Sequence, residues 1–398
     1  MFQFNRHPDY GKPLDPRDAE VLGEKGAEQI ERYLSHREEH APTPLHSLPA
    51  LADALGVGAL HIKDEGSRLG LGSFKALGGA YAVARILLEE AERRLGRSLD
   101  FSDLWSAEVR DVASGMTVTC ATDGNHGRSV AQGAQLLGAK AVIFVHMGVS
   151  DERVAAIACF GARVIRVEGS YDDSVAEAAR VAAEKKWFLV SDTSWPGYER
   201  IPGLVMQGYT AMVREALRQL PTLPTHIFLQ AGVGGVAAAV AGHLALVLGE
   251  RRPTFIVVEP ARAACLFESA RKGRLVKVEQ GEPTIMAMLE CYEPSLIAWQ
   301  ILTRTADGFM TLEEEDAAAA MKHLAKPAGE DPVILAGESG GAGFAGLLRA
   351  AADPKLREAL RLDEASRILL INTEGPTDRE RYRDVVGCWP EEVAKRNG

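Results

Sequence analysis

Short apolar runs rich in β-branched residues alternate along the chain with longer segments in which apolar residues recur at helical spacing. A short apolar run between turn residues is typical of a strand that is buried on both faces. The predicted strands are 141–145, 164–167, 188–190, 226–229, 255–258 and 368–371. The predicted helices are 127–138, 151–160, 172–186 and 203–220. This alternation indicates an α/β protein built on doubly wound parallel sheets.

One apolar segment, residues 231–249, is nearly as long as a membrane-spanning helix. Its glycines cluster at the ends, alanine dominates the middle, and His243 interrupts it. These features favour a buried helix that is entered through a glycine-rich turn. The amino-terminal residues 1–18 contain charges and prolines instead of the apolar run of an export signal. We therefore expect no membrane partner.

The alternation is interrupted near residue 83 and again at 194–202, where Trp-Pro-Gly and Ile-Pro occur. These interruptions predict a large domain formed by residues 1–82 and 196–398. They predict a smaller, mobile α/β domain of residues 83–195.

The composition narrows the class of partner. The chain has 398 residues, of which 46% are hydrophobic and 25% charged, as in ordinary globular proteins of more than one domain. A formal net charge of −10 opposes binding to nucleic acid or to an anionic membrane, so a small-molecule partner is expected. The five cysteines form no CxxC pair, which predicts neither a zinc site nor a disulfide framework and fits the cytoplasm.

The segment 72–79 places Lys75 among small residues at the start of a helix. The helix dipole and a desolvated environment both disfavour a protonated amine there. A lysine of this kind is a nucleophile suited to forming a Schiff base. The alternative is a surface lysine on an amphipathic helix.

The glycine loop, Ala231-Gly-Val-Gly-Gly235, follows the strand 226–229 and precedes the apolar helix. Glycines allow backbone N–H groups to approach an anion, and the helix dipole favours negative charge, so the loop predicts a phosphate site. A dinucleotide site is the alternative. The dinucleotide pattern G-x-G-x-x-G requires a third glycine at position 237, which is alanine.

A third segment, Thr122-Asp-Gly-Asn-His-Gly127, lies between an apolar stretch and a helix. Such a turn can hold a ligand carboxylate on its N–H groups. The alternative is an ordinary N-cap turn in which Asp123 or Asn125 caps the helix. His126 is expected to pack behind the turn.

Taken in order, these three segments resemble the fold type II pyridoxal-phosphate enzymes, a group that includes tryptophan synthase β, threonine deaminase and cysteine synthase. The resemblance implies two doubly wound α/β domains with pyridoxal 5'-phosphate between them, bound chiefly by the large domain. Lys75 would form the Schiff base, the turn would support the ring hydroxyl, and a hydroxyl would meet the ring nitrogen. The implied cofactor-binding residues are Phe74, Lys75, Asn125, Gly232, Val233, Gly234, Gly235 and Thr373.

Further segments resemble the diaminopropionate ammonia-lyase branch of that family: residues 74–79, 122–127, 191–198, 284–287 and 372–375. Asp123 is the most informative position, because deaminases and synthases of the wider family usually have serine or another small residue there. The resemblance implies elimination of ammonia from one or both enantiomers of 2,3-diaminopropionate by a homodimer. No metal-binding residues are predicted.

We expect Lys75 and Asp123 to act as bases on opposite faces of the substrate α-carbon. Asp192 is expected to orient or deprotonate the distal amine, with a helix N-cap as the alternative. Met288 and Tyr292 stand where the family pattern has glycine, which leaves the substrate open. The alternatives are a serine/threonine-type dehydratase, a related β-elimination or β-replacement enzyme, or a catalytically silent binding protein.

Overall fold

The computed structural model describes residues 1–395, and its strands and helices alternate as the sequence predicts. The strands are β1 (Phe2–Phe4), β2 (Leu45–Ser47), β3 (Ala59–Asp64), β4 (Thr117–Ala121), β5 (Lys140–His146), β6 (Arg163–Val167), β7 (Phe188–Leu189), β8 (His226–Gln230), β9 (Thr254–Pro260), β10 (Gly308–Leu312) and β11 (Arg367–Asn372).

The α-helices begin and end as follows: α1 (Pro16–Leu22), α2 (Glu24–Ser35), α3 (Pro49–Leu55), α4 (Lys75–Leu95), α5 (Ala107–Ser114), α6 (Asn125–Leu137), α7 (Asp151–Ala158), α8 (Tyr171–Lys185), α9 (Arg200–Gln219), α10 (Gly235–Leu248), α11 (Cys265–Lys272), α12 (Leu296–Thr305), α13 (Glu314–Ala325), α14 (Ala342–Ala352), α15 (Pro354–Leu360), α16 (Arg379–Val386) and α17 (Pro390–Ala394). All six predicted strands and all four predicted helices are present, with ends shifted by a few residues.

The chain divides into two compact units. The first unit comprises Met1–Glu24, Pro42–Phe74 and Met212–Gly398, and the second comprises Lys25–Ala41 and Lys75–Ala211. The predicted boundary at residue 83 falls inside α4, which is one continuous helix, so the second unit begins where that helix begins. Residues 25–41 join the same unit because Tyr33 packs on Tyr81, with ring centroids 5.6 Å apart. Local turn signals do not reveal a contact at that sequence separation.

The first unit contains a seven-stranded sheet in the order β1-β10-β9-β8-β11-β3-β2. Its inner strands are parallel, whereas the edge strands β1 and β2 pair antiparallel to their neighbours. The sequence predicted parallel strands alone, because three-residue edge strands are too short to give a periodic signal. Antiparallel edge strands on a parallel sheet are common in α/β proteins. The neighbours β8 and β11 end at the same edge, before the glycine loop and before Thr373 respectively.

The second unit contains a four-stranded parallel sheet in the order β6-β5-β4-β7. Strand β4 was not among the predicted strands, since its threonines break the apolar run. It ends directly before Thr122, while β5 ends at His146 and β7 ends shortly before Asp192. Because the carboxyl ends of parallel strands meet at one edge, the sheet gathers these three positions.

The apolar segment 231–249 forms the buried helix that the sequence predicts. Residues 235–244 of α10 are all buried, and His243 donates from Nδ1 to the Leu22 carbonyl at 2.6 Å. Across residues 1–395 no helix is long and apolar enough to cross a membrane.

A buried ion network orders the segment between β3 and α4. Arg68 donates from Nε to Glu65 Oε2 at 2.7 Å and from Nη2 to Glu215 Oε2 at 2.6 Å. Lys63 Nζ also donates to Glu215 Oε2, at 2.8 Å, and burial lowers the pKa of Lys63. Loss of one partner would leave a buried charge uncompensated, which is strongly destabilising. The network therefore fixes residues 65–70, which lead toward α4.

Candidate active site

Lys75 is the first residue of α4, as the sequence predicts, and it belongs to the second unit. Its Nζ contacts Oδ2 of Asp192, and its side chain remains 24% exposed. The sequence suggested an uncharged amine kept neutral by desolvation and the helix dipole. An adjacent carboxylate instead favours the charged form of a lysine. Lys75 therefore faces an anion that the local sequence around it does not reveal.

Asp192 is not a helix N-cap, because the next helix, α9, begins only at Arg200. Its Oδ2 contacts Nζ of Lys75 and lies 3.9 Å from Nδ1 of His126. Burial by itself raises the pKa of Asp192, but the charge of Lys75 outweighs it and holds the pKa well below its usual range. The Asp192 carboxylate is thus ionised at neutral pH.

Tyr198 holds the segment that contains Asp192. Its ring stacks on Trp195, with centroids 4.4 Å apart and ring planes 18° from parallel. Its hydroxyl donates to the Leu189 carbonyl at 2.8 Å and accepts from the Ser191 N–H at 3.1 Å. The two aromatic side chains therefore stabilise the loop that positions Asp192.

The turn between β4 and α6 is closed by a side chain that the sequence analysis did not single out. Thr122 Oγ1 accepts hydrogen bonds from the N–H groups of Gly124 and Gly127, each at 3.0 Å. The Thr122 side chain thus accepts the backbone N–H groups at the start of α6. The N-cap position is Gly124, so the N-cap alternative for Asp123 and Asn125 is wrong. A Cβ on Gly127 would lie 2.3 Å from Thr122 Cγ2, so only glycine fits there.

His126 packs behind the turn, as expected. Its Nε2 lies 2.7 Å from the Val190 carbonyl, which can only accept, so Nε2 bears the proton. Burial lowers the pKa of His126, against the opposing effect of Asp192, and the imidazole is neutral. His126 is thus a rigid neutral neighbour of the pair formed by Lys75 and Asp192.

Asp123 is only partly buried, with 22% of its side chain exposed. Its Oδ1 lies 3.1 Å from Nε2 of His146, the last residue of the neighbouring strand β5. Within the described residues Oδ1 is buried without a hydrogen-bond partner, and the partial exposure of the side chain gives the carboxylate the access that a general base requires.

The glycine loop of the first unit lies between β8 and α10 and is crowded where a side chain would stand on Gly232 or Gly234. Gly234 has φ 98°, and a Cβ there would lie 3.1 Å from Leu266 Cδ1. A Cβ on Gly232 would lie 2.9 Å from Cys291 Sγ. The first N–H groups of α10 have no acceptor within the helix, and the helix dipole adds partial positive charge. The loop fits a phosphate group.

Thr373 follows β11 and is buried, with its hydroxyl oriented by a neighbour. Gln230 Nε2 donates to Thr373 Oγ1 at 2.7 Å, and Gln230 Oε1 accepts from the Gly343 N–H at 3.0 Å. Because the Thr373 oxygen accepts from Gln230, its own proton is directed to another acceptor, as a ring nitrogen requires. The N–H of Phe74 donates to the Thr373 carbonyl at 2.9 Å, which places Phe74 beside it.

The loop with Met288 and Tyr292 lies against the glycine loop. The Met288 N–H donates to Ser339 Oγ at 3.2 Å, and the Tyr292 hydroxyl donates to Glu290 Oε1 at 2.7 Å. The Met288 carbonyl would be 3.4 Å from a Cβ on Gly232. Both bulky residues are thus held in a loop that contacts the glycine loop.

Three polar residues of these clusters were missed from the sequence: Thr122, His146 and Gln230. His146 and Gln230 are the last residues of β5 and β8, and the carboxyl ends of parallel strands are where ligands bind in α/β sheets. That position was the signal that could have found them. Thr122 opens a turn motif, where a threonine hydroxyl commonly binds backbone N–H groups.

The sequence of the chain is similar to those of known enzymes that share one cofactor. Residues 37–374 match the family described as pyridoxal-phosphate dependent enzyme. Diaminopropionate ammonia-lyase from Escherichia coli strain K12 is 42% identical over 353 residues, which cover 87% of each protein. The biosynthetic L-threonine dehydratase of Haemophilus influenzae is 29% identical over 312 residues, which cover 77% of this chain but 52% of the dehydratase.

A solved structure extends the similarity to nearly the whole chain. The crystal structure of E. coli diaminopropionate ammonia lyase in complex with an aminoacrylate-PLP azomethine reaction intermediate matches with a TM-score of 0.87 at 37% identity. The match covers 99% of this chain and 97% of the other. In identity and in length, the chain is therefore more similar to the ammonia-lyase than to the dehydratase.

Proposed function

The chain belongs to the pyridoxal-phosphate-dependent enzyme family, with fold type II architecture, and on that premise we propose that it eliminates ammonia from 2,3-diaminopropionate to yield pyruvate and ammonia. The supporting observation is the 42% identity to diaminopropionate ammonia-lyase over 87% of the chain. A dehydratase is the alternative, and the carboxylate of Asp123 argues against it, because deaminases and synthases of the wider family usually have serine or another small residue at that position.

Each unit contains residues suited to one part of pyridoxal 5'-phosphate. The glycine loop would bind the phosphate, and the oriented hydroxyl of Thr373 would donate to the ring nitrogen. Asn125 would support the ring hydroxyl, Phe74 would lie beside the ring, and Lys75 Nζ would form the covalent bond. When bound, the cofactor supplies an electron sink that stabilises negative charge on the substrate α-carbon.

Lys75 and Asp123 would act as bases that remove the α-proton, each from one face of the substrate. Lys75 Nζ would take the proton of the L-isomer, and the Asp123 carboxylate that of the D-isomer. Both groups belong to the same unit. A two-base arrangement of this kind allows one enzyme to process both enantiomers.

Asp192 would orient the ammonium group on the substrate β-carbon. Its carboxylate is ionised because the charge of Lys75 holds its pKa well below the usual range in spite of burial. Such a carboxylate is a weak base, so its charge supports orientation of the distal amine better than deprotonation.

The reaction proposed here has a stoichiometry that separates it from the dehydratase alternative. Diaminopropionate and water yield one pyruvate and two ammonia molecules, whereas serine yields one of each. Enzymatic determination of pyruvate and ammonia in the same sample measures the ratio. A ratio of one ammonia per pyruvate, with diaminopropionate as substrate, contradicts the proposal.

We expect Gly234→Asp to lose the cofactor, because the new carboxylate would stand in the proposed phosphate site. Two like charges about 4 Å apart repel by about 4 kcal/mol at an effective dielectric constant near 20, which corresponds to about 10²- to 10³-fold weaker binding. Visible absorbance of the purified variant, titrated with pyridoxal 5'-phosphate, measures the affinity.

Gly249→Asp is the matched control, because Gly249 ends the same helix with φ 56° and has open space around a Cβ. It also places a side chain at positive φ, but without a charge at the phosphate position. Gly234→Ala adds the steric change alone. Equal cofactor content in Gly234→Asp and Gly249→Asp, with comparable circular dichroism, would place the phosphate elsewhere.

We expect Asp192→Asn to slow both enantiomers of diaminopropionate by about 10- to 100-fold, the usual range for a lost hydrogen bond between charged groups. The physical reason is the loss of the counter-charge for the distal ammonium group, which both isomers carry. Initial rates with each isomer measure the effect, and the exposed Asp111→Asn serves as control. A loss confined to one isomer would assign Asp192 to α-proton transfer instead.

We expect a homodimer from the resemblance to the family, acting on a small amino acid. We expect it in the cytoplasm, because the five free cysteines are consistent with a reducing compartment. Light scattering of the purified protein at several concentrations measures the oligomeric state, and a monomeric mass throughout would contradict the dimer.

A further inference from the structure

Gln230 and Thr373 lie at the same edge of the seven-stranded sheet. Gln230 is the last residue of β8, and Thr373 directly follows β11. The two strands are parallel neighbours in that sheet. Both side chains are buried, and Gln230 Nε2 lies 2.7 Å from Thr373 Oγ1. The sheet order therefore brings the amide at one strand end to the hydroxyl at the next.

The backbone determines which end of the Gln230 amide faces Thr373. The Gly343 N–H donates to Gln230 Oε1 at 3.0 Å, and Gln230 Nε2 donates to the Gly340 carbonyl at 2.7 Å. A rotated amide would bring two N–H groups together at Gly343 and two carbonyl oxygens together at Gly340. Neither pair can form a hydrogen bond, because an N–H cannot accept and a carbonyl oxygen cannot donate. The group that faces Thr373 is therefore an N–H donor.

The first turn of α14 holds the amide in place. The N-cap residue of α14, Gly341, has no side chain to cap the helix. The Gly343 N–H is one of the first-turn donors that lack an acceptor within the helix, and Gln230 supplies that acceptor. A Cβ on Gly343 would lie 2.8 Å from Gln230 Oε1 and 2.4 Å from the Phe228 carbonyl oxygen. Glycine at position 343 thus allows the amide to approach the helix backbone.

The Thr373 hydroxyl retains a proton that it can donate. An amide N–H cannot accept, so Thr373 Oγ1 is the acceptor in its contact with Gln230. Among residues 1–395 this is the one hydrogen bond that the Thr373 side chain forms. A buried polar group is normally satisfied, and the hydroxyl proton still needs an acceptor. The site is therefore suited to a ligand atom that accepts a hydrogen bond and bears no proton.

We propose that Gln230 is a positioning residue, which makes Thr373 a hydrogen-bond donor to the ring nitrogen of pyridoxal 5'-phosphate. An unprotonated ring nitrogen accepts the hydroxyl proton. A protonated ring nitrogen would be a second donor to Oγ1 and would leave the hydroxyl proton without an acceptor. The amide therefore favours the unprotonated ring. The inference rests on the proposed contact between Thr373 and the ring nitrogen, and it is independent of which amino acid is the substrate.

The test observes the ring nitrogen directly, in holoenzyme reconstituted with cofactor that carries ¹⁵N at that position. The ¹⁵N chemical shift distinguishes an unprotonated ring nitrogen from a protonated one. We expect an unprotonated nitrogen in wild type. Thr373→Ser retains the hydroxyl and should retain the wild-type shift, whereas Thr373→Val removes the hydroxyl and should change it. A protonated ring nitrogen in wild type would overturn the inference without recourse to any variant.

A double-mutant cycle separates positioning from a merely structural role. Gln230→Met keeps the length of the side chain and removes its donor. We expect about 2- to 10-fold weaker cofactor binding, the usual range for one hydrogen bond between neutral groups, and a ¹⁵N shift that moves toward the Thr373→Val value. In the Thr373→Val background the same change should alter cofactor affinity by less than about twofold, because no hydroxyl is left to orient.

The melting temperature provides the structural reference for this cycle. Gln230→Met removes the contacts to Gly340 and Gly343 in either background, so it should lower the melting temperature by the same amount in both. Gln300→Met changes an exposed glutamine on α12 of the same unit and should leave affinity and ¹⁵N shift unchanged. Equal losses of cofactor affinity from Gln230→Met in both backgrounds would make Gln230 a structural residue alone and overturn the inference.

These outcomes are distinguishable from failure of the proposed function. If Thr373→Val leaves the ¹⁵N shift at its wild-type value, Thr373 does not meet the ring nitrogen, and the inference fails together with that site assignment. Turnover is measured separately. Absence of ammonia release from diaminopropionate, with the expected effects of Gln230→Met intact, would contradict the proposed substrate and support the role of Gln230.

Discussion

Lys75→Ala should abolish both turnover and covalent attachment of the cofactor. Loss of an acid–base group typically costs about 10²–10⁴-fold in rate, and loss of the covalent bond adds to it, so the decrease should reach at least the upper end of that range. The side chain starts α4, contacts Asp192 and remains partly exposed, which gives it both a counter-ion and access. Initial rates of ammonia release measure the loss.

The covalent assignment is checked separately from the rate. Borohydride reduction of the wild-type holoenzyme, followed by proteolysis and mass spectrometry, should find the reduced pyridoxyl group on Lys75. Lys140→Ala, which removes an exposed lysine at the start of β5, should retain the label and the activity. A pyridoxyl group on any other lysine, or full labelling of Lys75→Ala, would show that the assignment is wrong.

Asp123→Asn should abolish most turnover of D-diaminopropionate and spare much of the turnover of the L-isomer. Asparagine keeps the shape of the side chain but cannot accept the α-proton, and the loss of one acid–base group costs about 10²–10⁴-fold in rate, or about 3–5 kcal/mol of barrier. The L-isomer retains the base on the other face, Lys75. Rates with each pure enantiomer, in wild type and variant, give the ratio.

The result has an internal control, because the unaffected isomer reports on folding and cofactor content in the same preparation. Asp111→Asn, an exposed carboxylate of the same unit, should leave the ratio of the isomers unchanged. Equal losses for both isomers in Asp123→Asn would make Asp123 a residue that positions substrate and not a stereospecific base.

The part of the fold that depends on local pattern was predictable. Strands such as β8 and β11 are continuous apolar runs because both faces are buried, and the apolar helix α10 is buried over its first ten residues. The edge strands β1 and β2 were not predictable, since three residues give no periodic signal. Strand β4 was missed because its threonines interrupt the apolar pattern, although Cys120 and its neighbours are buried.

The candidate site was predictable where its chemistry lies in a contiguous motif. Lys75, Asp123 and the glycine loop each stand in a segment whose residue types indicate their chemistry. Their partners come from other strands: Asp192 was found through a separate motif, and its contact with Lys75 spans 117 residues of sequence. His146 and Gln230 show no local signal beyond their place at a strand end. Only the sheet order places them beside Asp123 and Thr373.

The choice between ammonia-lyase and dehydratase depends on substrate preference, and one measurement tests it most directly. The holoenzyme is assayed for kcat/KM by ammonia and pyruvate release with L- and D-2,3-diaminopropionate, L- and D-serine, threonine and 3-hydroxyaspartate. We expect a diaminopropionate isomer to be the preferred substrate, with two ammonia molecules released for each pyruvate. Faster turnover of serine or threonine than of either diaminopropionate isomer would contradict it.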